Sequence, residues 1–184
     1  MTTDVLDVAA RLLEGLERRG FDCAVGGALA LSYWSVPRAT LDIDLVVQVD
    51  PMAVRGLIDA LVELGAELDP ARAMTSAMRG DFGARVEGIR VDVFVPPAPF
   101  VELAVERRQR VPIGDREVDI ADAETMVLLK LMYHRTKDLA DLEQLFALRG
   151  SSLDLDFLWA QVDDAFPPDD PRRATYARLV DAAR

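Results

Sequence analysis

Cysteine is nearly absent from this chain of 184 residues, and long apolar runs are absent altogether. The single cysteine, Cys23, excludes an intrachain disulfide framework, and its apolar surroundings predict a small core residue. No stretch approaches the length of a membrane span, and Met1 to Asp4 lack the basic and apolar regions of a signal peptide. These absences predict a cytoplasmic protein with no membrane partner.

Basic residues are also fewer than acidic residues. Lys and Arg total 21 against 32 Asp and Glu, which gives a net charge of −11. This balance argues against nucleic-acid binding driven by bulk electrostatics, although local basic patches can still bind a nucleic acid. The chain has two clusters of arginine that could form such patches, Arg107 with Arg108 and Arg110, and Arg172 with Arg173 and Arg178. The second cluster is interpreted as a solvated surface.

Apolar residues are plentiful, at 51% of the chain, which is enough to bury a substantial core. Strand-like and helix-like periodicities predict a mixed α/β fold with a helical C-terminal part. The predicted boundary divides a catalytic core over residues 1–120 from a helical region over residues 121–184 that packs on it. Strands are predicted over 21–25 and 43–49 and in hairpins over 80–95 and 110–120. Helices are predicted over 4–19, 28–35, 51–64, 122–133, 136–148, 153–164 and 171–183.

A pair of glycines, Gly26-Gly27, lies between the short apolar strand and the short helical run that follows it. A tight turn from a strand into a helix exposes backbone amides at the positive end of the helix dipole. Such a turn is suited to a triphosphate.

Two carboxylates, Asp42 and Asp44, stand two residues apart at the start of an apolar strand. Side chains alternate along a strand, so both would point to one face and repel each other unless a cation lies between them. Mg²⁺, or Mn²⁺ in its place, is a hard ion that prefers such oxygen ligands. A turn-forming role before the strand is the structural alternative, and the glycine turn upstream favours the metal site.

A third carboxylate, Asp92, lies within a second apolar strand. A buried carboxylate is costly unless a cation or hydrogen-bond donors face it. Asp92 is therefore predicted to complete a metal triad with Asp42 and Asp44. An ion pair with Arg85 or Arg90 in the same hairpin is the alternative.

Further candidate residues flank these motifs. Arg38 and Thr40 precede the carboxylate pair, and Arg38 is a candidate either for bidentate phosphate binding or for an ion pair with Asp42. Lys130 lies in a strongly apolar helix, where it either extends to the surface or points into a site. His134, the only histidine, is interpreted as a surface residue at a helix end.

Together these motifs resemble a known family. The chain resembles the AbiEii-type nucleotidyltransferases in four features: Gly26-Gly27, Arg38-x-Thr40-x-Asp42-Ile43-Asp44, the strand residue Asp92, and Glu124-x5-Lys130-x4-Arg135-x-Lys137-Asp138-x-x-Asp141-Leu142. These proteins belong to the DNA polymerase β-like nucleotidyltransferase superfamily, and several are toxins of toxin–antitoxin or phage-defence systems. The resemblance covers about residues 20 to 148 and implies a nucleotidyltransferase fold, with a mixed sheet flanked by helices. Gly27 stands where the commoner superfamily motif has serine, which removes one hydroxyl contact to phosphate.

The resemblance also implies roles for the individual residues. Gly26 and Gly27 would hold the triphosphate, together with Arg38 and Thr40. Lys130 would contact nucleotide phosphate as part of the catalytic site, and Asp138 and Asp141 would lie on a helix beside the bound nucleotide.

The predicted activity is metal-dependent transfer of a nucleoside monophosphate from an NTP to an acceptor hydroxyl. In the toxin branch the acceptor would be tRNA, and an antitoxin protein would be a partner. Nucleotidylation of a small molecule such as an antibiotic is the enzymatic alternative. A catalytically inactive protein-interaction module is the non-enzymatic alternative, and the three retained carboxylates Asp42, Asp44 and Asp92 count against it.

Overall fold

The computed structural model describes residues 4–37 and 40–183. Within these residues the chain forms the following strands: β1 Asp22–Val25, β2 Asp42–Gln48, β3 Ala66–Glu67, β4 Asp81–Val86, β5 Ile89–Phe94, β6 Gln109–Ile113 and β7 Arg116–Ile120. They form one seven-stranded sheet in the order β3-β4-β5-β2-β1-β7-β6. The sheet is mixed, because β2 pairs parallel with β5 and β1 parallel with β7, whereas the other neighbours are antiparallel.

Helices flank this sheet, and they form most of the C-terminal third of the described chain. They are α1 Val5–Glu17, α2 Gly27–Trp34, α3 Val54–Glu63, α4 Pro70–Ala77, α5 Val101–Glu106, α6 Ala123–Tyr133, α7 Thr136–Arg149, α8 Leu155–Ala165 and α9 Pro171–Ala182. Aspartates cap several of them by accepting a backbone N–H of the first turn: Asp4, Asp69, Asp122, Asp154 and Asp170. None of these helices is long and apolar enough to cross a membrane.

The predicted mixed α/β class is confirmed, and every predicted strand and helix is present to within a few residues. Among the strands and α-helices, three short elements were not predicted, namely β3, α4 and α5. The buried residues of α4 are only Ala73 and Ala77, so its helical periodicity is weak in the sequence. The first hairpin turns at Glu87-Gly88, one residue before the predicted turn, because both residues adopt the positive φ angles that such turns need.

Helix α6 is fixed to the sheet by buried polar contacts as well as by apolar packing. Its N-terminal cap, Asp122, is only 1% exposed and accepts hydrogen bonds from the Thr125 amide and from Arg107 Nε. The Trp34 indole donates to the carbonyl of Ala121, which joins α2 to the start of α6. One continuous apolar core includes residues from both sides of position 120. The face of α6 that carries Lys130 is therefore held in a defined position against the sheet.

Candidate functional site

The three predicted carboxylates meet on one face of the sheet. Asp42 and Asp44 are separated by the fully buried Ile43 on β2, so they project to the face opposite to it. In the parallel pairing of β2 with β5, Asp44 lies directly opposite Asp92. The sequence predicted the shared face of Asp42 and Asp44, and the strand register adds Asp92 to it.

The glycine turn lies against the same carboxylates. Gly26 ends β1 and donates its amide hydrogen to the carbonyl of Asp44, at 2.8 Å. Gly27 is the first residue of α2 and has a φ of +55°. A Cβ atom added to Gly27 would lie 1.6 Å from Asp44 Oδ2. The missing side chain therefore makes the space in which the Asp44 carboxylate sits beside the N-terminus of α2.

A cleft of about 490 Å³ opens over these residues. Its lining includes nearly all of the predicted site residues that the structure describes: Gly26, Gly27, Thr40, Asp42, Asp44, Asp92, Lys130 and Asp138. Asp141 is buried immediately behind this lining, 7% exposed. Arg38 lies outside the described residues. A volume of this size is typical of small-molecule and cofactor sites.

The surroundings of Asp44 oppose the negative charge of its carboxylate. Burial raises its pKa above the ordinary value, and the neighbouring charge of Asp92 raises it further. Asp42 adds to this effect, whereas Lys130 and Lys137 act in the opposite direction. A cation bound beside Asp44 would relieve this repulsion, as expected for a metal-binding carboxylate.

Asp92 has a protein partner. Arg90 donates from Nε and Nη2 to the same oxygen, Asp92 Oδ1, at 3.0 and 2.9 Å. This is the ion pair that the sequence left open as the structural alternative for Asp92. Arg90 itself lines the cleft and stands opposite Asp42 in the strand pairing. Asp92 therefore belongs to the site, but in this conformation a guanidinium occupies one of its oxygens.

Within the described residues, no set of three or more His, Cys, Asp or Glu side chains is already arranged to hold a metal ion. The donor chemistry still fits a hard divalent cation, because Asp42 and Asp44 offer only carboxylate oxygens on one face of the cleft. Burial, followed by repulsion from Asp92, raises the pKa of Asp44, and this is a second observation that favours a cation there. The fit thus rests first on two carboxylates, and Asp92 would add a third ligand through Oδ2, the oxygen that Arg90 does not bind.

Lys130 is buried rather than extended to the surface, at 6% exposure. Its Nζ lies 3.2 Å from Asp138 Oδ1 and 2.7 Å from Asp141 Oδ2. Asp138 is fully buried and also accepts hydrogen bonds from the backbone and side chain of Arg135. Burial raises the pKa of Asp138, but the Arg135 hydrogen bonds and the charge of Lys130 outweigh it, so the net shift is downward. The carboxylates of the Lys-Asp-x-x-Asp motif thus hold Lys130 and Arg135 at the wall of the cleft.

Several residues of the cleft were not proposed as site residues from the sequence. Lys137 lines it, is exposed, and has no hydrogen bond or ion pair within the described part of the chain. Its place in the motif next to Asp138 was a signal that could have identified it. Asp81, at the start of β4, and Tyr133, at the end of α6, also line the cleft. No local sequence pattern marks these two residues, because only strand pairing and helix packing bring them to the cleft.

Two other candidates have local roles. Thr40 Oγ1 lies 3.3 Å from both the amide nitrogen and the carbonyl oxygen of Asp42, so it shapes the entry into β2 while lining the cleft. His134 ends α6 with a φ of +50°, and its Nε2 lies 2.9 Å from Thr175 Oγ1. His134 is thus a helix-end residue, as the sequence predicted.

No family model matches the chain, and no curated protein matches it in sequence. Solved structures do resemble it. ANT(2″)-Ia in complex with adenylyl-2″-tobramycin is 20% identical, with 95% of this chain and 99% of that chain covered and a TM-score of 0.54. Lincomycin-bound LnuA, a lincosamide antibiotic adenylyltransferase, is 14% identical over 80% of this chain and 99% of its own, with a TM-score of 0.52. An antigenic nucleotidyltransferase-like protein from Paracoccidioides brasiliensis is 18% identical, covering 94% of this chain and 91% of its own, at a TM-score of 0.50.

These similarities establish the fold. The mixed seven-stranded sheet with flanking helices is that of nucleotidyltransferase-fold proteins, as the sequence motifs predicted. At these levels of identity, the likeness extends to the backbone and not to the chemistry of individual side chains.

Proposed function

We propose that this protein is a metal-dependent nucleotidyltransferase that transfers a nucleoside monophosphate from an NTP to an acceptor hydroxyl. One observation carries the proposal: the register of β2 and β5 brings Asp42, Asp44 and Asp92 to one face, directly beside the Gly26-Gly27 turn. Carboxylates that repel one another at the N-terminus of a helix are an arrangement that a cation and a polyphosphate would stabilise together.

In the proposed reaction, the acceptor oxygen forms a bond to the α-phosphorus while the bond from that phosphorus to the bridging oxygen breaks. The β- and γ-phosphates leave as pyrophosphate. Asp92 is the proposed acceptor of the hydroxyl proton, through the oxygen that Arg90 does not bind. A divalent cation held by Asp42 and Asp44 would supply charge neutralisation on the phosphates.

The chain's own residues would bind and orient the nucleotide. Gly27 and Ala28, in the first turn of α2, line the cleft, and the backbone amides of a helix's first turn suit phosphate oxygens. Lys137 is the proposed direct phosphate contact, because its ammonium is exposed in the cleft. Lys130 is the proposed catalytic cation behind it, fixed by Asp138 and Asp141 so that its position costs little reorganisation.

For the acceptor we favour a small hydroxylated molecule, such as an antibiotic. The two arginine clusters that could have attracted an RNA are neutralised in the fold by nearby carboxylates. The pairs are Arg107 with Asp122, Arg108 with Asp22, Arg110 with Asp119, Arg172 with Asp170, Arg173 with Asp163 and Arg178 with Glu143. With a net charge of −11 and these arginines paired, the molecule offers little basic surface for a nucleic-acid backbone. Of the similar structures, LnuA is a lincosamide antibiotic adenylyltransferase by name, and ANT(2″)-Ia is in complex with adenylyl-2″-tobramycin.

The second candidate is an AbiEii-type toxin that nucleotidylates tRNA and is countered by an antitoxin protein. The observation in its favour is the motif Lys130-x4-Arg135-x-Lys137-Asp138-x-x-Asp141, whose side chains assemble as one charged cluster at the cleft. An inactive interaction module remains the non-enzymatic alternative.

The experiment is incubation with each α-³²P-labelled NTP and Mg²⁺, with either total tRNA or a panel of hydroxylated antibiotics as acceptor. Label on a small-molecule product, with release of pyrophosphate, would support the favoured acceptor class. Label on tRNA would establish the toxin candidate instead. The matched control is Asp44→Asn, which should abolish transfer to either acceptor. If no labelled product forms and calorimetry detects no nucleotide binding, the protein is not a nucleotidyltransferase, and the interaction module is the alternative that stands.

A further inference from the structure

Strand pairing extends the carboxylate face of the sheet beyond Asp92 to β4. Asp92 has Asp44 as its neighbour on one side and Gly83 on the other. One step along, Phe94 lies between Val46 on β2 and Asp81 on β4. Because side chains alternate along each strand, Asp81 and Phe94 share the face of Asp92. The open floor beside the reacting carboxylates is therefore built by β4 and β5.

Gly83 is an unexpected residue for its position. It lies inside β4, where glycine is disfavoured because it loses backbone entropy and contributes no packing. Its φ is not positive, so the backbone conformation does not require glycine. The only described atom that an added Cβ would approach within 4 Å is Asp92 Oδ1, at 3.7 Å. The missing side chain therefore leaves free space on the side of Asp92 away from the glycine turn.

The groups around this space can recognise a ligand. Asp81 is exposed in the cleft and has no hydrogen-bond or ion-pair partner within the described residues. Phe94 and Tyr133 stand beside it with ring centroids 6.4 Å apart and planes at 63°, and Tyr133 is 46% exposed. Arg135 lies over the Tyr133 ring, and its guanidinium is already bound to Asp138. A carboxylate next to two aromatic rings favours a cationic group on a compact ring.

We propose that the acceptor binds in this space over β4 and β5, with its ammonium group on Asp81, a ring face against Phe94 and Tyr133, and Gly83 providing the clearance that brings a hydroxyl beside Asp92. The acceptor class is a small amine-bearing polyol. This inference rests on the proposed function, and it places acceptor and nucleotide on opposite sides of Asp44 and Asp92.

The test measures binding, without turnover, in the presence of Mg²⁺ and a non-hydrolysable NTP. The probes are 2-deoxystreptamine, a cyclitol with two amines, and myo-inositol, a neutral cyclitol of similar size. Ligand-observed NMR measures the binding of each probe. We expect wild type to bind the diamine more tightly than inositol. Asp81→Asn should weaken the diamine by roughly tenfold and leave inositol unchanged, because only the charged contact is lost.

Gly83→Val fills the clearance with a side chain that strands favour, so its melting temperature should be equal or higher while both probes lose binding. Gly83→Ala should have only a small effect, because its methyl group makes an ordinary contact with Asp92. Two results would overturn the subsite: equal probe binding by wild type, Gly83→Val and Asp81→Asn, or no binding of the diamine by wild type. If nucleotide affinity is intact in either case, the proposed function still stands. Loss of nucleotide binding in wild type would overturn both.

Discussion

Gly27 and Asp44 fit together so closely that a side chain on one would occupy the space of the other: a Cβ on Gly27 would lie 1.6 Å from Asp44 Oδ2 and 2.3 Å from its Cγ. The contact connects the N-terminus of α2 to the carboxylate at the centre of the cleft. It gives a structural reason for glycine at the position where the commoner superfamily motif has serine.

Gly27→Ala should therefore impair the site as well as the fold. Alanine at a positive φ costs about 1–2 kcal/mol of unfolding free energy, and here the methyl group must also displace Asp44. Gly20→Ala is the matched control, because Gly20 has a φ of +81° with nothing within 4 Å of an added Cβ. Urea unfolding should show a loss in both variants, whereas calorimetry should show weaker Mn²⁺ and nucleotide binding only in Gly27→Ala. Normal binding in that variant would contradict the proposed role of the contact.

Asp44→Asn should stabilise the metal-free protein at neutral pH. Burial and the charge of Asp92 raise the pKa of Asp44 above 3.8, so the native state binds its proton more tightly than the unfolded chain does. The resulting penalty is absent below the ordinary pKa and develops as pH rises from there through the raised native value. In EDTA, the advantage of Asp44→Asn in unfolding free energy should be largest near pH 7 and shrink toward about pH 4. An advantage that does not change with pH would contradict this electrostatic origin.

Lys130→Met should lower the unfolding free energy by about 1–3 kcal/mol, because it removes the cation that two buried carboxylates share, while Arg135 still binds Asp138. The double variant with Asp141→Asn should recover part of this loss, since one of the buried charges is then gone. Chemical unfolding of the two single variants and the double variant measures the coupling. A loss below about 1 kcal/mol for Lys130→Met would mean that the lysine is free of these carboxylates in solution.

Lys137→Ala should weaken nucleotide binding and leave stability nearly unchanged. The ammonium is exposed in the cleft, and a charge-assisted contact of about 1.5–3 kcal/mol corresponds to roughly tenfold to hundredfold in affinity. Arg72→Ala, which removes an exposed cation from α4 outside the cleft, is the control for overall charge. Titration with a non-hydrolysable NTP compares the two variants. The same affinity in both would remove Lys137 from the phosphate site.

Arg90→Ala should tighten metal binding if Asp92 is the third ligand. The guanidinium holds Asp92 Oδ1 through two hydrogen bonds, so a cation bound by Asp92 would either share the carboxylate with Arg90 or displace it. Removal of Arg90 also removes a positive charge from the cleft wall. Mn²⁺ titration of Arg90→Ala, with and without Asp92→Asn, is the measurement. If Asp92→Asn does not change the metal affinity of the Arg90→Ala variant, Asp92 is not a ligand and only Asp42 and Asp44 bind the metal.

The sequence by itself determined the features that depend on near neighbours. Alternation along one strand fixed the shared face of Asp42 and Asp44, and the Gly26-Gly27 pair predicted the turn into α2. The order of most strands and helices followed from periodicity and capping. These features are local, so a few consecutive residues contain the information.

Only the tertiary structure decided what those residues face. The register of β2 against β5, which are far apart in the chain, set Asp92 opposite Asp44, and the same hairpin gave Arg90 rather than Arg85 as its partner. The packing of α6 and α7 turned Lys130 toward Asp138 and Asp141, although its apolar neighbours in sequence fitted either a surface or a cleft position. Strand register and helix packing are set by the whole core, because every element must bury its apolar face at once, and no short segment encodes that result.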